Sequence, residues 1–349
     1  MIMSSHKPES PASRLSDDDL GRLVYEAVSP HAGERAPTAA PTPQQILQRA
    51  WRRRRARRLR LLAAVTRCAA VVVAVLIITA GIVVAKRAAP AGRAAARPAV
   101  ALLPLPRPST WRPARVGLTR LSQTVARLHE TPAAGRYTYT RTRLWARDAT
   151  AASPANAVTV FDEQRWWSAE RAGRQTRATV TGWSPGQDPG PVRRPDAGGD
   201  ESYRTGQMPV VVPDLSSNVF VVSSQLAEQQ DPADGPQATL RAVREVYRFH
   251  DPVPAQRAAL LQALADTDGL LIAGTVDGGI GRRGLAVLVD SDHGATRDIA
   301  IFDPVTGRML AYDTVWLRAP AAVTIATPAL ADSLLLITAT RTSSIRHAP

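Results

Sequence analysis

The chain has 349 residues and a formal net charge of +14, from 44 basic and 30 acidic side chains. Nearly all the bases are arginine, and they are unevenly placed: residues 1–98 hold 17 basic and 6 acidic groups, residues 99–349 hold 27 and 24, so the excess belongs to the first third of the chain. The single cysteine, Cys68, excludes an intramolecular disulfide framework and any cysteine-based zinc or iron–sulfur site.

Residues 1–58 read as a cytoplasmic segment, partly disordered, with two short helices. Ser16 caps the first, with Asp17, Asp18 and Asp19 at the positive end of its dipole and Leu15 and Leu20 placed as a hydrophobic staple. Thr42, Pro43 and Gln45 start the second, which runs on through the arginines. Neither has an apolar face large enough to make a core. The pair reads as a solvated tail or as a docking segment that folds on a partner.

Residues 59–86 are predicted to be a transmembrane helix. Residues 68–85 run CAAVVVAVLIITAGIVVA, without a charge, close to the roughly 20 residues that a membrane helix needs. Arg52, Arg53, Arg54, Arg55, Arg57, Arg58, Arg60 and Arg67 flank it upstream, against Lys86, Arg87, Arg93 and Arg97 downstream. That bias puts the N-terminus in the cytoplasm and the C-terminal part outside, a single-pass signal-anchor topology at the inner membrane. The run begins too far along the chain for a cleaved signal peptide. The bilayer and its anionic headgroups are the partners that the arginine cluster implies, at about 1 kcal/mol per residue near the surface. Nucleic acid is not, since base-reading or stacking partners are missing and only Trp51 is near.

Residues 87–115 are rich in alanine, proline and arginine, and predict a semi-rigid spacer. Residues 116–349 predict an extracytoplasmic α+β domain with a curved, mainly antiparallel sheet. Leu118, Leu121, Val125 and Leu128 have helical spacing. Residues 136–147, RYTYTRTRLWAR, alternate with period two and read as a long strand. Further strands are expected over 158–169 and 174–183, then a long loop over 184–215, dominated by Pro, Gly and Asp. Helices over about 238–249 and 254–265 precede strands over 270–276, 285–290, 297–302, 309–317 and 334–342. Residues 303–307, Asp-Pro-Val-Thr-Gly, form a tight turn.

In order, GRYTYTRTRLW, the Arg-x-Gly-Arg at 171–174, RRGLAVLVD and IFDPVTGRML-x-Y-x-T-V resemble an uncharacterised family of membrane-anchored proteins from high-GC bacteria, over residues 49–342. The resemblance implies neighbouring sigma factors of the extracytoplasmic-function type. It also implies an outer domain similar to the half-barrel of periplasmic lipoprotein carriers and of the periplasmic regulator of the envelope-stress sigma factor. It brings no catalytic residues.

Chemical motifs are sparse. Gly279, Gly281 and Gly284 match the dinucleotide fingerprint, but a strand and not a helix is expected to follow, so they read as turn glycines. The six histidines show no metal-ligand spacing, and His250 ends a helix where an imidazolium would complement the dipole. Acidic residues are read as turn residues. No catalytic, cofactor or metal residue is assigned, and no enzymatic activity is expected. The aromatic set Tyr137, Tyr139, Trp145, Trp166, Trp167, Trp183 and Trp316 falls on predicted strands. It reads as ordinary packing or as an apolar face for an acyl chain or a lipoprotein segment. Arg141 and Arg143 share a strand face with Tyr137, Tyr139 and Trp145. Two functions follow: a membrane-anchored signalling or sensing protein of the cell envelope, with a sigma factor as partner of the cytoplasmic segment, or a tethered carrier of lipid or lipoprotein.

Overall fold

A computed structural model describes residues 100, 102–131, 133–147, 157–321, 323–346 and 348–349. The expected cytoplasmic helices, the membrane-flanking arginines and the membrane span all lie outside the described residues. Among the described residues no helix is long and apolar enough to cross a membrane.

Ten strands form one antiparallel sheet: β1 (Arg112–Pro113), β2 (Tyr137–Arg147), β3 (Val158–Trp167), β4 (Gly173–Thr179), β5 (Asp200–Tyr203), β6 (Leu271–Asp277), β7 (Arg283–Ser291), β8 (Thr296–Phe302), β9 (Met309–Trp316) and β10 (Ala329–Thr342). Their spatial order is β1-β6-β7-β8-β9-β10-β2-β3-β4-β5. Two meanders, β2 to β5 and β6 to β9, are thus joined by the last strand, which pairs with β9 on one side and β2 on the other.

Four helices, α1 (Ala114–Ala126), α2 (Val219–Gln229), α3 (Pro236–Phe249) and α4 (Pro254–Ala265), cover one face of this sheet. Pro236 and Pro254 stand in the first turns of α3 and α4, where a missing N–H costs nothing. Gln256 accepts the Val253 N–H at 3.1 Å and closes the start of α4. Leu118, Leu121 and Val125 of α1, Leu240, Val243 and Val246 of α3, and Leu260, Leu261 and Leu264 of α4 meet Val287, Val289, Ala300, Phe302 and Leu334 of the sheet in one core. Gly117 of α1 lies so close to the sheet that a Cβ there would stand 2.3 Å from Ile272 Cδ1.

The opposite, outer face is also apolar. Ala286, Leu288, Ile299, Ile301, Leu310 and Leu335 are buried there, together with Trp145 and Trp183. What covers it includes the end of the expected spacer: Val100, Leu102, Leu103, Leu105 and Trp111 pack against it.

The 184–215 segment is longer than a loop between strands requires, and more ordered than a plain loop. It contains β5, and its Met208 and Val210 pack on Trp167 and Phe249. α2 follows at once, capped by Asn218 Oδ1, which accepts the Phe220 N–H at 2.9 Å. The first half of the segment argues against helix, because three valines in five residues favour strand. Burial of Val222 and Leu226 against the core decides for helix. The glycine-rich segment before β7 is a turn, with Gly279 at φ 82° and Gly281 at φ 69°. A strand follows it, so no helix N-terminus is available for a pyrophosphate.

The turn at 303–307 is fixed twice over. Asp303 Oδ1 accepts the amides of Val305 at 2.8 Å and Thr306 at 2.7 Å. Gly307, at φ 67°, sits where a Cβ would come within 2.7 Å of Val125 and 2.8 Å of Leu261. Gly307→Ala is therefore expected to cost about 2 kcal/mol in backbone strain and overpacking, roughly 4–8 °C in Tm. An unchanged thermal unfolding curve would contradict the docking of this turn under α1 and α4.

Candidate functional site

A cleft of about 520 Å³ opens where β2 begins, β10 ends and the chain passes from α3 to α4. Glu130, Thr138, Trp167, His250, Asp251, Arg308 and Arg341 are among its lining residues. Glu130, Asp251 and Arg308 of this lining belong to an ion cluster that continues into the interior. Arg257 of α4 is fully buried, and donates to the Thr306 carbonyl at 2.8 Å, the Pro252 carbonyl at 2.8 Å, and Glu130. Arg308 donates to Asp251 and, at 3.4 Å, to Glu130. Burial pushes the Glu130 carboxyl up, but the Arg257 and Arg308 guanidiniums outweigh it and hold the group below the usual carboxylate range.

His250 lines the same cleft, and differs from its expected role. Its ring is buried, and its Nε2 donates to the Val211 carbonyl at 2.7 Å. Trp167 stands edge-on to it, 4.9 Å between centroids, and sends its own indole N–H to the Phe249 carbonyl at 2.5 Å. Burial pulls the imidazole down to about 4, so it is neutral at the end of α3 and does not complement the dipole. A neutral histidine committed to a carbonyl is a positioned structural group. Among the described residues no group of three His, Cys, Asp or Glu is arranged to hold a metal ion.

The seven aromatics of the sequence reading are divided among several environments. Tyr139 and Trp166 face each other across β2 and β3 with centroids 5.0 Å apart. Trp145 and Trp183 lie in the outer-face core. Trp167 packs beside Met208, Val210 and Phe249, and Trp316 beside Val323 and Ala331. Tyr137 is half-buried, with the Arg136 guanidinium 5.7 Å from its ring centre. They do not make one face. The other six are each at most 9% exposed, which is the packing of a core.

Charge pairing inside the sheet is what the sequence reading missed. Acidic residues occur in turns, but Asp162, Glu163, Asp298 and Asp313 sit on strands, buried. Asp162 accepts from Arg141 at 2.8 Å and Arg143 at 3.0 Å. The spare donors of both arginines reach the carbonyls of Pro189, Gly190 and Pro191, which pins the long insertion over the sheet. On the helix side Glu163 binds Arg165 at 2.7 Å, Arg177 at 2.7 Å and Arg248 of α3 at 3.1 Å. Asp298 takes Arg241 of α3 at 2.7 Å, with the Tyr312 hydroxyl at 2.9 Å and the Thr314 hydroxyl at 3.0 Å. Strand alternation places these groups on their faces, but the pairing register that joins them is not visible in one sequence.

Gly182-Trp183-Ser184-Pro185-Gly186 matches the letters of a nucleophile elbow, which needs a strand before the serine and a helix after it. Here bends and a turn surround Ser184, its amide donates to Gln187 Oε1 at 2.9 Å, and no helix follows. The match is a loop.

No family model matches the chain, and no curated protein matches it. Among solved structures it is similar to one titled "Crystal structure of MucB", at 15% identity and a TM-score of 0.26. The match covers 68% of this chain and 60% of that one.

Two buried groups give opposite pH dependences. Burial raises the Asp313 carboxyl from 3.8 to about 6, against the lowering effect of Ser333. The folded state therefore keeps a proton that the unfolded chain has lost, and stability rises as pH falls through 6. His250, moved from 6.5 to about 4, does the reverse, since the unfolded chain gains the proton and stability falls. The two offset each other between about pH 4 and 6. Asp313→Asn is expected to raise Tm at pH 7.5 by several degrees, through loss of a buried carboxylate. The gain should shrink as pH falls through 6 and vanish near pH 4, so the variant should lose stability more steeply than the parent over that range. Parallel stability–pH curves for parent and variant would contradict the Asp313 assignment.

Proposed function

We propose that the protein is a single-pass, membrane-anchored signalling or sensing protein of the cell envelope, without catalytic activity, with its N-terminus in the cytoplasm and its α+β domain outside. The anchor reading rests on the uncharged 68–85 run and the arginines before it. The observation that carries the choice of function is the closure of both sheet faces in the described domain. Helices fill one face, residues 102–111 and the 184–191 loop lie over the other, and the open cleft mixes charged side chains with Trp167, Leu215, Val253 and prolines. Such a domain presents surfaces to a ligand or a protein, with its sheet faces committed to packing.

The second reading, a tethered carrier of lipid or lipoprotein, draws on the aromatic strands. Its weakness is that those aromatics are committed to packing. The family resemblance adds a sigma factor as the partner of the capped cytoplasmic segment.

Capture of the full chain from its native membranes, beside a variant lacking residues 1–41, separates the two. The sensor reading expects a cytoplasmic regulator, a sigma factor first, recovered with the full chain and lost with the deletion. Recovery of lipids or lipoproteins alone, unchanged by the deletion, would overturn it in favour of the carrier.

A further inference from the structure

Residues 102–111 read LLPLPRPSTW and cross the outer face without joining the ladder. Their backbone hydrogen bonds are internal: Thr110 N–H to the Arg107 carbonyl at 2.9 Å and Trp111 N–H to the Pro108 carbonyl at 3.0 Å. Pairing with the sheet begins only at Arg112, opposite Ile272. Three prolines remove N–H donors that an apolar face could not satisfy, and they favour the extended left-handed conformation in advance. The register shift between Ile272 and Gly274, where φ is 116°, leaves room for the strap: Pro106 Cγ lies 3.4 Å from the place of a Gly274 Cβ.

The burial is asymmetric. Ala286, Leu288, Ile299 and Ile301 beneath are at most 2% exposed, whereas Leu102, Leu103, Leu105 and Trp111 above them are only half-buried. One clasp holds the end. The Trp111 indole N–H donates to the Pro106 carbonyl at 3.0 Å, and the Arg297 guanidinium lies 4.7 Å from the ring centre, held in turn by Asp290 at 2.6 Å. A cover that is half in water, off the ladder and clasped at a surface cation can leave without unzipping a strand.

We infer that the outer face is a groove for an extended, apolar, proline-bearing polypeptide segment, and that residues 102–111 are its built-in, exchangeable occupant. The chemistry of the occupant in place defines the partner: leucines alternating with prolines, then an aromatic residue stacked under a cation. Side-chain pockets and a preformed extended backbone are the means by which such segments are recognised elsewhere. The groove depends on packing inside the folded domain and stands apart from the membrane reading. Because the strap lies on the path from the 68–85 run to the domain, its exchange would tie partner binding to the tether.

The test uses the purified full chain and a fluorescent peptide with the sequence of residues 100–113, read by anisotropy. Leu103→Ser with Leu105→Ser weakens the strap, raises the open fraction, and is expected to tighten peptide binding about tenfold over the parent. Arg297→Ala, which removes the guanidinium over Trp111 together with its pair to Asp290 and leaves the strap's own side chains intact, should shift it the same way by about threefold, and serves if the double variant does not fold. Unlabelled peptide should compete. Equal affinity in all three proteins would overturn the proposal. So would cooperative loss of the whole domain in both variants, since the strap would then be core. Uptake of an apolar dye without peptide binding would assign the face to a non-peptide occupant and overturn it as well.

Discussion

Strands β7 to β9 bury apolar side chains on both faces, beside the buried Asp298 and Asp313, and that fact shapes the rest of the domain. In β7, Val287 and Val289 point to the helices while Ala286 and Leu288 point away, and all four are at most 3% exposed. A sheet with one wet face needs one layer of cover; this one needs two. Helices α1, α3 and α4 supply the first. The second is assembled from irregular chain: the strap at 102–111 on one half, and the insertion after β4 on the other. Irregular chain over an apolar face carries unpaired backbone groups. Proline in the strap and arginine under the insertion answer that cost in different ways. The strap lacks the donors, and the insertion gives its carbonyls to Arg141 and Arg143.

The other half of the sheet is held by charge. Around β2 and β3 Asp162 holds two arginines on the outer face and Glu163 three on the helix face, one of them Arg248 of α3, and α3 also reaches Asp298 of β8 through Arg241. Buried ion pairs add little net stability, but removing one partner leaves a charge that the interior cannot hold. Such networks fix geometry. Here they set the angle of α3 on the sheet and the position of the long insertion. The cleft beside the α3–α4 connection follows the same logic, with Arg257 and Arg308 tying three segments to Glu130 and Asp251.

The elements most legible in the sequence are those whose local signals agree with their burial. β2 alternates over its whole length, α3 and α4 begin at proline, and the 303–307 turn has its aspartate and glycine where the backbone needs them. The α+β architecture and the antiparallel order within each meander were readable for that reason. α2 was not, because its valines argue locally for strand and only Asn218 and the core make it a helix. β5 is a four-residue acidic edge with no apolar pattern at all. The strap shows the limit of composition. Its prolines exclude helix and ladder, which is also true of a free spacer, and only the apolar sheet opposite distinguishes the two. The candidate site was the least legible part. The aromatics carried a visible pattern and proved to be packing. The ion clusters depend on register and on helix–sheet contacts far apart in the chain, which alternation alone does not supply.

The claim on which the account turns is that the strap covers the outer face. Methyl-resolved nuclear Overhauser contacts in the full chain, with leucine and isoleucine methyls labelled, test it directly. Cross-peaks from Leu103 and Leu105 to methyls of the outer-face core, such as Leu288, Ile299 and Ile301, together with Trp111 ring shifts on nearby methyls, are the predicted result. Random-coil shifts for residues 102–111, with those isoleucine methyls open to a soluble paramagnetic probe, would contradict it.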